Sequence, residues 1–275
     1  MGVAFALTSA LAWGGGDFSG GFATRRSNQY HVLAISAVSG ILVLAVCAVL
    51  WGESFPTPGG ILLMMVAGVL DAVALAALYR ALSLGDAATV APTTGVIGAL
   101  LPVLFSFFIH GFPGVLRAVG FVLALIGIWL VSQSASAASG TSRQSFLLAC
   151  LAGVGFGGFF ILLSRVDHSL VFTPLIIARL VCFLMAWLLL RVNGLPLGSF
   201  TGNRIAWLAG VLDAGGNLFY MLASRFTRLD IAVVLSSLYP AVTVVLAGVL
   251  LKERASRRQW LGAGVCLTAI VLITL

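Results

Sequence analysis

The chain of 275 residues is 61% hydrophobic and only 8% charged, with a formal net charge of +7. Soluble domains carry about 25% charged residues, so this chain has too few charges to cover a water-exposed surface. The composition excludes a soluble globular protein and predicts an integral membrane protein. The positive charge is typical of loops on one side of a membrane, so we expect no nucleic-acid partner.

Ten apolar segments follow one another along the chain, each near the roughly 20 residues that cross a bilayer. Cut at polar and Gly/Pro clusters, they cover residues 2–22, 31–51, 59–80, 88–109, 114–133, 145–164, 171–190, 205–224, 231–251 and 257–275. The connections are short, and none has room for a soluble domain. The sequence predicts an all-α membrane protein with ten transmembrane helices.

The two halves of the chain repeat each other. Residues 67–72 and 209–214 both read Ala-Gly-Val-Leu-Asp-Ala and lie 142 positions apart (209 − 67 = 142). The same offset carries Phe18 onto Phe160, and it aligns segment 1 with segment 6. Because segment 1 belongs to the repeat and lacks a basic start, we expect a retained helix and not a signal peptide.

We therefore expect one five-helix unit used twice. The predicted units are residues 1–133 and 145–275, joined by a loop at residues 134–144. Five is an odd number, so the second copy enters the membrane from the opposite side. The two units are then inverted repeats, related by a two-fold axis in the membrane plane, as in many secondary transporters.

Loop charges predict an orientation. Loops after odd-numbered segments carry ten basic residues and the other loops carry four, and basic loops are usually cytoplasmic. The two sets are Arg25, Arg26, Arg80, Arg143, Arg191, Arg204, Lys252, Arg254, Arg257 and Arg258 against Arg117, Arg165, Arg225 and Arg228. This count places both termini outside.

Asp71 and Asp213 occupy equivalent positions in the repeat, each near the middle of an apolar segment. An aspartate at a helix centre costs about 2.5–3.5 kcal/mol on insertion scales, so such residues usually face water or a partner. They either bind a substrate amine, carry a coupling proton, or stabilise helix packing.

Segment 8 carries further polar residues on the same face as its aspartate. Asp213, Asn217, Tyr220 and Ser224 are spaced four, three and four residues apart, which places them on one side of a helix. Hydrocarbon cannot satisfy these groups. They line either a cavity or a helix contact.

Arg179 is the single Lys or Arg deep within a predicted segment. A charged guanidinium in lipid needs a partner. The candidates are Asp17, Asp71, Asp213 and a substrate carboxylate, and a purely structural ion pair is the alternative.

The remaining candidates lie in segments 1, 4 and 9. Trp13 and Asp17 are one helical turn apart, and Thr94 and Ser236 are related by the repeat offset and lie close to prolines. A proline leaves backbone polar groups without a helical partner, and such groups either bind solute or belong to a kink that has no binding role.

We expect a pocket between segments 1, 3, 4, 6, 8 and 9, with Asp71 and Asp213 as candidates for coupling. The candidate substrate-binding residues are Trp13, Asp17, Tyr79, Thr94, Arg179, Asp213, Asn217, Tyr220, Ser236 and Tyr239.

Other motifs carry no chemistry. Residues 153–158 match G-x-G-x-x-G, but the pattern has meaning only between a strand and a helix, and here it lies inside a membrane segment. The four cysteines lack metal-ligand spacing, and no Ser/His/Asp, zinc or nucleotide-binding arrangement is present. We expect no metal, no cofactor and no enzymatic activity. The rival hypothesis is a membrane-embedded enzyme acting on lipid-linked substrates.

The sequence resembles the EamA-like branch of the drug/metabolite transporter superfamily. The likeness lies in the two inverted five-helix units, in Trp13 and Arg179, and in the ending Leu251-Lys252-Glu253-Arg254 followed by Gln259-Trp260-Leu261-Gly262. The first unit differs from the family pattern at two positions. Gly111 occupies the position equivalent to Glu253 in the repeat, and Ala37 occupies the position equivalent to Arg179.

Within that family the chain is most similar to bacterial exporters of amino acids, including aromatic ones. The resemblance implies export of amino acids or similar small metabolites across the bacterial inner membrane by alternating access. Drug-like cations, sugars and nucleosides are the alternative substrates. It also implies termini in the cytoplasm, against the loop-charge count. The partners expected are a small solute and the lipid bilayer, and a monomer is compatible with the sequence.

Overall fold

The computed structural model describes residues 1–24, 27–84, 87–132, 143–167, 169–198, 202–239, 241–242, 246 and 256–274. Within these ranges the side chains of residues 21, 79, 82–84, 87–92, 131–132, 259 and 274 lie outside the description. Most of the predicted connecting loop and the Leu251–Arg254 stretch lie outside the described residues.

Ten helices make up the described secondary structure, in which no strand occurs. They are α1 (Gly2–Thr24), α2 (Gln29–Trp51), α3 (Pro58–Leu84), α4 (Ala87–His110), α5 (Val115–Ser132), α6 (Arg143–Leu163), α7 (Phe172–Val192), α8 (Arg204–Phe226), α9 (Leu229–Ser236) and α10 (Arg257–Thr274). Six of them, α2 to α4 and α6 to α8, contain stretches long and apolar enough to cross a membrane, and α5 and α10 contain shorter apolar ones. The predicted all-helical membrane fold is confirmed.

Helix α9 is shorter than the predicted segment 231–251. Its last helical hydrogen bond runs from the Ser237 backbone nitrogen to the Val233 carbonyl oxygen at 2.8 Å, and a turn follows at residues 237–238. The sequence places Pro240 next. Proline has no N–H to bond the carbonyl four residues earlier. The described residues Tyr239, Ala241, Val242 and Leu246 are again helical, so the turn interrupts the segment without ending it. Most of the rest of segment 9 lies outside the described residues.

Helix packing follows the repeat. The offset of 142 residues exchanges α1 with α6, α2 with α7, α3 with α8, α4 with α9 and α5 with α10. Accordingly α1 packs on α8 as α6 packs on α3, and α2 packs on α8 as α7 packs on α3. The pairs α2–α7, α4–α9 and α5–α10 each cross the axis. This arrangement has the two-fold relation expected of inverted repeats.

Two equivalent glycines lie at close contacts between these helices. A Cβ atom added to Gly68 would lie 2.8 Å from the carbonyl oxygen of Ala178 on α7, and one added to Gly210 would overlap the carbonyl oxygen of Ser36 on α2. Both glycines and both partners are related by the same offset. Small residues of this kind let membrane helices approach closely.

Loops collect at two faces because successive helices run in opposite directions. The face we call the Glu53 face holds residues 52–57, 111–114, 164–171 and 227–228. The opposite one, the Arg204 face, holds the starts of α2, α6, α8 and α10. Helix α10 runs antiparallel to α5, since Ile273 lies against Gly120 and Cys266 against Gly127.

Glu53 binds the start of α7, a contact for which the sequence contains no local signal. Its carboxylate accepts hydrogen bonds from the backbone nitrogens of Val171 (2.7 Å), Phe172 (2.8 Å) and Thr173 (2.6 Å), and from the Thr173 hydroxyl (2.8 Å). Helix starts carry unpaired N–H groups and partial positive charge. The α2–α3 loop therefore anchors the helix that carries Arg179.

Removal of this cap lowers stability. Hydrogen bonds to a charged group contribute about 1.5–3 kcal/mol, so we expect Glu53→Ala to lower the thermal unfolding midpoint of the purified protein by several degrees. Glu53→Gln keeps a hydrogen-bond acceptor without the charge, so its unfolding midpoint should lie between those of the parent protein and Glu53→Ala. The control is Ser54→Ala, whose side chain is exposed in the same loop. Equal midpoints for Glu53→Ala and Ser54→Ala would contradict the assigned role.

Candidate functional site

One cavity lies where the two repeats meet. About 640 Å³ of empty space lies in it, a volume that includes the open solvent at its mouth. Its walls come from α1, α3, α4, α6, α8 and the turn after α9, the segments between which the sequence predicts the pocket. The described lining is Trp13, Asp17, Asp71, Leu75, Leu78, Thr94, Gly95, Gly98, Phe156, Phe159, Phe160, Asp213, Asn217, Ser237 and Tyr239.

Three packed rings close the cavity toward the Glu53 face. The ring centroids of Trp13, Phe160 and Tyr220 lie 5.0 to 5.8 Å apart, and all three residues are buried. The Tyr220 hydroxyl donates a hydrogen bond to the Phe160 carbonyl oxygen at 3.2 Å. Tyr220 lies two turns beyond Asp213 on α8, about 10 Å along the axis. We call these three residues the aromatic cluster.

The cavity extends from the aromatic cluster toward the Arg204 face. Asp17 lies one turn beyond Trp13 in that direction, and its side chain is exposed. The Asp213 side chain is 35% exposed. Both carboxylates therefore face the open part of the cavity, where an entering solute would meet them.

An ion cluster joins two of the lining aspartates, Asp71 and Asp213, to Arg179. The Arg179 guanidinium contacts the Asp213 carboxylate through Nη2, and its Nη1 lies 4.0 Å from Oδ2 of Asp71. The side chains of Arg179 and Asp71 are only 5% and 8% exposed. Buried charges need partners of this kind. Of the partners expected for Arg179, the structure pairs it with Asp71 and Asp213, and Arg179 is not among the described lining residues.

Two further candidates on the lining have other hydrogen bonds. Asn217 donates from Nδ2 to the Asp213 carbonyl oxygen at 3.1 Å, and Thr94 donates from its hydroxyl to the Ala149 carbonyl oxygen at 3.2 Å. Tyr239 packs edge-on against Trp13 at 6.2 Å between centroids. The Tyr79 side chain lies outside the described residues.

Ser236, Ser224 and Tyr220 lie off the described lining. The Ser236 hydroxyl is buried and donates to the Ala6 carbonyl oxygen at 3.2 Å, so it joins α9 to α1. Ser224 bonds back within α8, to the Met221 carbonyl oxygen. The polar face of α8 thus divides, with Asp213 and Asn217 on the cavity and the remainder in helix contacts.

The sequence analysis places segment 6 at the pocket but names none of its residues. Phe156, Phe159 and Phe160 line the cavity, and the available signal was that Phe160 is the repeat partner of Phe18. The neighbouring glycines serve packing, since a Cβ added to Gly153 would lie 3.0 Å from the Thr94 carbonyl oxygen. The interpretation of residues 153–158 as membrane helix is confirmed.

Chemically, the described lining of the cavity is suited to the recognition of a solute. Carboxylates and an amide accept hydrogen bonds from an ammonium group, and aromatic faces attract cations by about 0.5–2 kcal/mol. In the part of the chain that the structure describes, no group of three or more His, Cys, Asp or Glu residues could hold a metal ion.

Comparison with known proteins agrees with this architecture. One crystal structure of a protein superposes with a TM-score of 0.76 at 20% identity, covering 100% of this chain and 98% of that chain, which shows a shared fold. No curated protein matches the chain significantly. The EamA-like transporter family, a branch of the drug/metabolite transporter superfamily, matches residues 1–133 and 143–275. The chain therefore belongs to the EamA-like transporter family.

Proposed function

We propose that this protein is a secondary transporter that exports amino acids or related small metabolites by alternating access. Membership of the family makes it a multi-pass membrane transporter of small solutes. The observation that carries the finer proposal is the cavity at the repeat interface, closed at one end by the aromatic cluster. Inverted-repeat transporters hold their substrate at this place.

The lining suits a solute with an amine at one end and an apolar or aromatic group at the other. Asp17 and Asp213 accept hydrogen bonds from the amine, and Asn217 adds a polar group beside them. Trp13 and Tyr239 provide aromatic surface close to these carboxylates. An aromatic amino acid has both features.

A second substrate class is favoured by the charge of the lining. Three of the described lining residues are aspartates and none is Lys or Arg. This composition accepts an organic cation that lacks a carboxylate, such as an amine-bearing drug. Neutral sugars and nucleosides donate hydrogen bonds to carboxylates through their hydroxyl groups but gain no charge attraction from them.

The proposed direction of transport is supported by the basic residues. The Arg204 face carries Arg143, Arg204, Arg257 and Arg258 at its helix starts, a pattern typical of a cytoplasmic face. The cavity then loads from the cytoplasm and the termini lie outside, an arrangement that suits export. By likeness to bacterial exporters, the membrane is the bacterial inner membrane.

The substrate class is tested with matched sets of three ligands. Each set contains an aromatic amino acid, its decarboxylated amine and its N-acetylated form, for example tryptophan, tryptamine and N-acetyltryptophan. In proteoliposomes we expect flux of the amino acid, competition by the amine, and neither with the acetylated form, which lacks the cation. Flux of the amine alone would favour the organic-cation function. Absence of flux across an amino-acid and amine panel, with and without a pH gradient, would exclude both.

Aromatic substitutions test the position of the pocket. Trp13→Ala removes a ring from the cavity wall and should weaken apparent affinity about tenfold, which corresponds to about 1.4 kcal/mol. Trp129→Ala is the control, because Trp129 is 50% exposed on α5, away from the lining. The measurement is the concentration for half-maximal flux at matched expression. The same value for both variants would place the pocket elsewhere.

The ion cluster is also the proposed site of coupling. One arginine faces two carboxylates, so a proton can neutralise the carboxylate that the arginine leaves. We expect Asp71→Asn and Asp213→Asn each to abolish the acceleration of flux by an imposed pH gradient. Asp17→Asn, which changes a cavity carboxylate away from the ion pairs, should retain that acceleration. Unchanged pH dependence in both Asp71→Asn and Asp213→Asn would assign these carboxylates to packing.

A further inference from the structure

Arg179 serves two carboxylates that the repeat makes equivalent. Asp71 and Asp213 are related by the offset of 142 residues, whereas the position equivalent to Arg179 is occupied by Ala37. The guanidinium contacts Asp213, and it lies 4.0 Å from Asp71. The fold is two-fold symmetric here, but the pairing is not.

The pair with Asp213 crosses a gap between helices. Helix α7 packs along α2 and α3 and makes only a small contact with α8, so this ion pair joins two helices that have little other contact. A Cβ added to Gly40 of α2 would lie 3.8 Å from Cδ of Arg179 and 3.2 Å from Cβ of Ala214. The 3.8 Å distance is an ordinary van der Waals contact, so the glycine serves the close approach of α2 and α8, and the arginine stem passes beside that contact.

The two carboxylates differ in access from the cavity. The Asp213 side chain is 35% exposed and that of Asp71 is 8% exposed. A cationic group that enters the cavity therefore reaches Asp213 and competes there with Arg179. The displaced guanidinium has Asp71 within reach, which avoids a buried and unpaired charge.

We propose that Arg179 is a two-position switch that links solute binding to the reversal of access. It pairs with Asp213 while the cavity extends toward the Arg204 face, and with Asp71 when the opposite end is open. The solute cation takes the place of Arg179 on Asp213, which releases α8 from α7. Arg179 is thus a positioning residue that acts through Asp213. The involvement of a cationic solute rests on the proposed function, whereas the exchange of partners does not.

The switch is tested without any solute, by following the end of the protein that is closed in this structure. Ser236 is fully buried on the Glu53 side of the aromatic cluster. Ser236→Cys, with Cys47, Cys150, Cys182 and Cys266 changed to Ala, reports opening of that end through its rate of labelling by a water-soluble maleimide. In nanodiscs both faces are accessible to the reagent.

The two equivalent aspartates should give unlike results. Asp213→Asn leaves Asp71 as the one carboxylate partner, so labelling should become at least threefold faster. Asp71→Asn leaves only Asp213, so labelling should not become faster. A merely structural ion cluster would loosen in both variants alike. The control is Asp167→Asn, which removes an exposed carboxylate outside the cavity and should match the parent.

Faster labelling in both aspartate variants, in Asp71→Asn alone, or in neither would overturn the switch. Folding is checked by size-exclusion elution and by the thermal unfolding midpoint. If Asp213→Asn does not fold, the labelling rate of Asp71→Glu tests the switch instead. Its longer side chain brings a carboxylate closer to Arg179 and should also accelerate labelling, and an unchanged rate would overturn the proposal. Because labelling needs no transported solute, failure of the switch is distinguishable from failure of the transport proposal.

Discussion

Close contact between helix backbones at Gly68 and Gly210 joins α3 to α7 and α8 to α2, and three of these four helices, α3, α7 and α8, carry the ion cluster. In a bilayer, no hydrophobic force draws helices together, because lipid is as apolar as their side chains. Association then depends on close packing and on polar pairs. The same small-residue contact is made twice about one axis, which brings Asp71 and Asp213 into the same region. A single arginine can therefore reach both.

The side chains break the symmetry that the backbone keeps. The aromatic cluster closes the end of the cavity toward the Glu53 face, and its repeat-related positions hold Gly155, Phe18 and Leu78. A glycine and a leucine occupy the positions equivalent to the tryptophan and the tyrosine of the aromatic cluster. Side chains therefore fill less volume in the equivalent region toward the Arg204 face. That is the end toward which the cavity extends. One fold used twice thus gives one closed end and one open end through side-chain volume.

The sequence predicts more of the fold than of the site. Bilayer thickness sets helix length and the repeat sets the pairing, so the ten helices and the elements around the cavity follow from local patterns. The Glu53 cap does not, because its partners lie 118 to 120 residues away. Helical spacing places Tyr220 on the polar face, yet only the position of α6 shows that its hydroxyl meets the Phe160 carbonyl and not the cavity. Spacing along one helix cannot specify what the next helix presents.

The charges near the cavity provide one physical reason for both selectivity and coupling. Three carboxylates and a single guanidinium occupy this region, so full ionisation leaves a net charge of −2 (1 − 3 = −2). Excess charge inside a membrane protein is costly unless a cation compensates it. A solute ammonium and a proton both do so, and they compete for the same carboxylates. This competition supports the proposed export of an amine in exchange for protons, because each occupant stabilises the site that the other leaves.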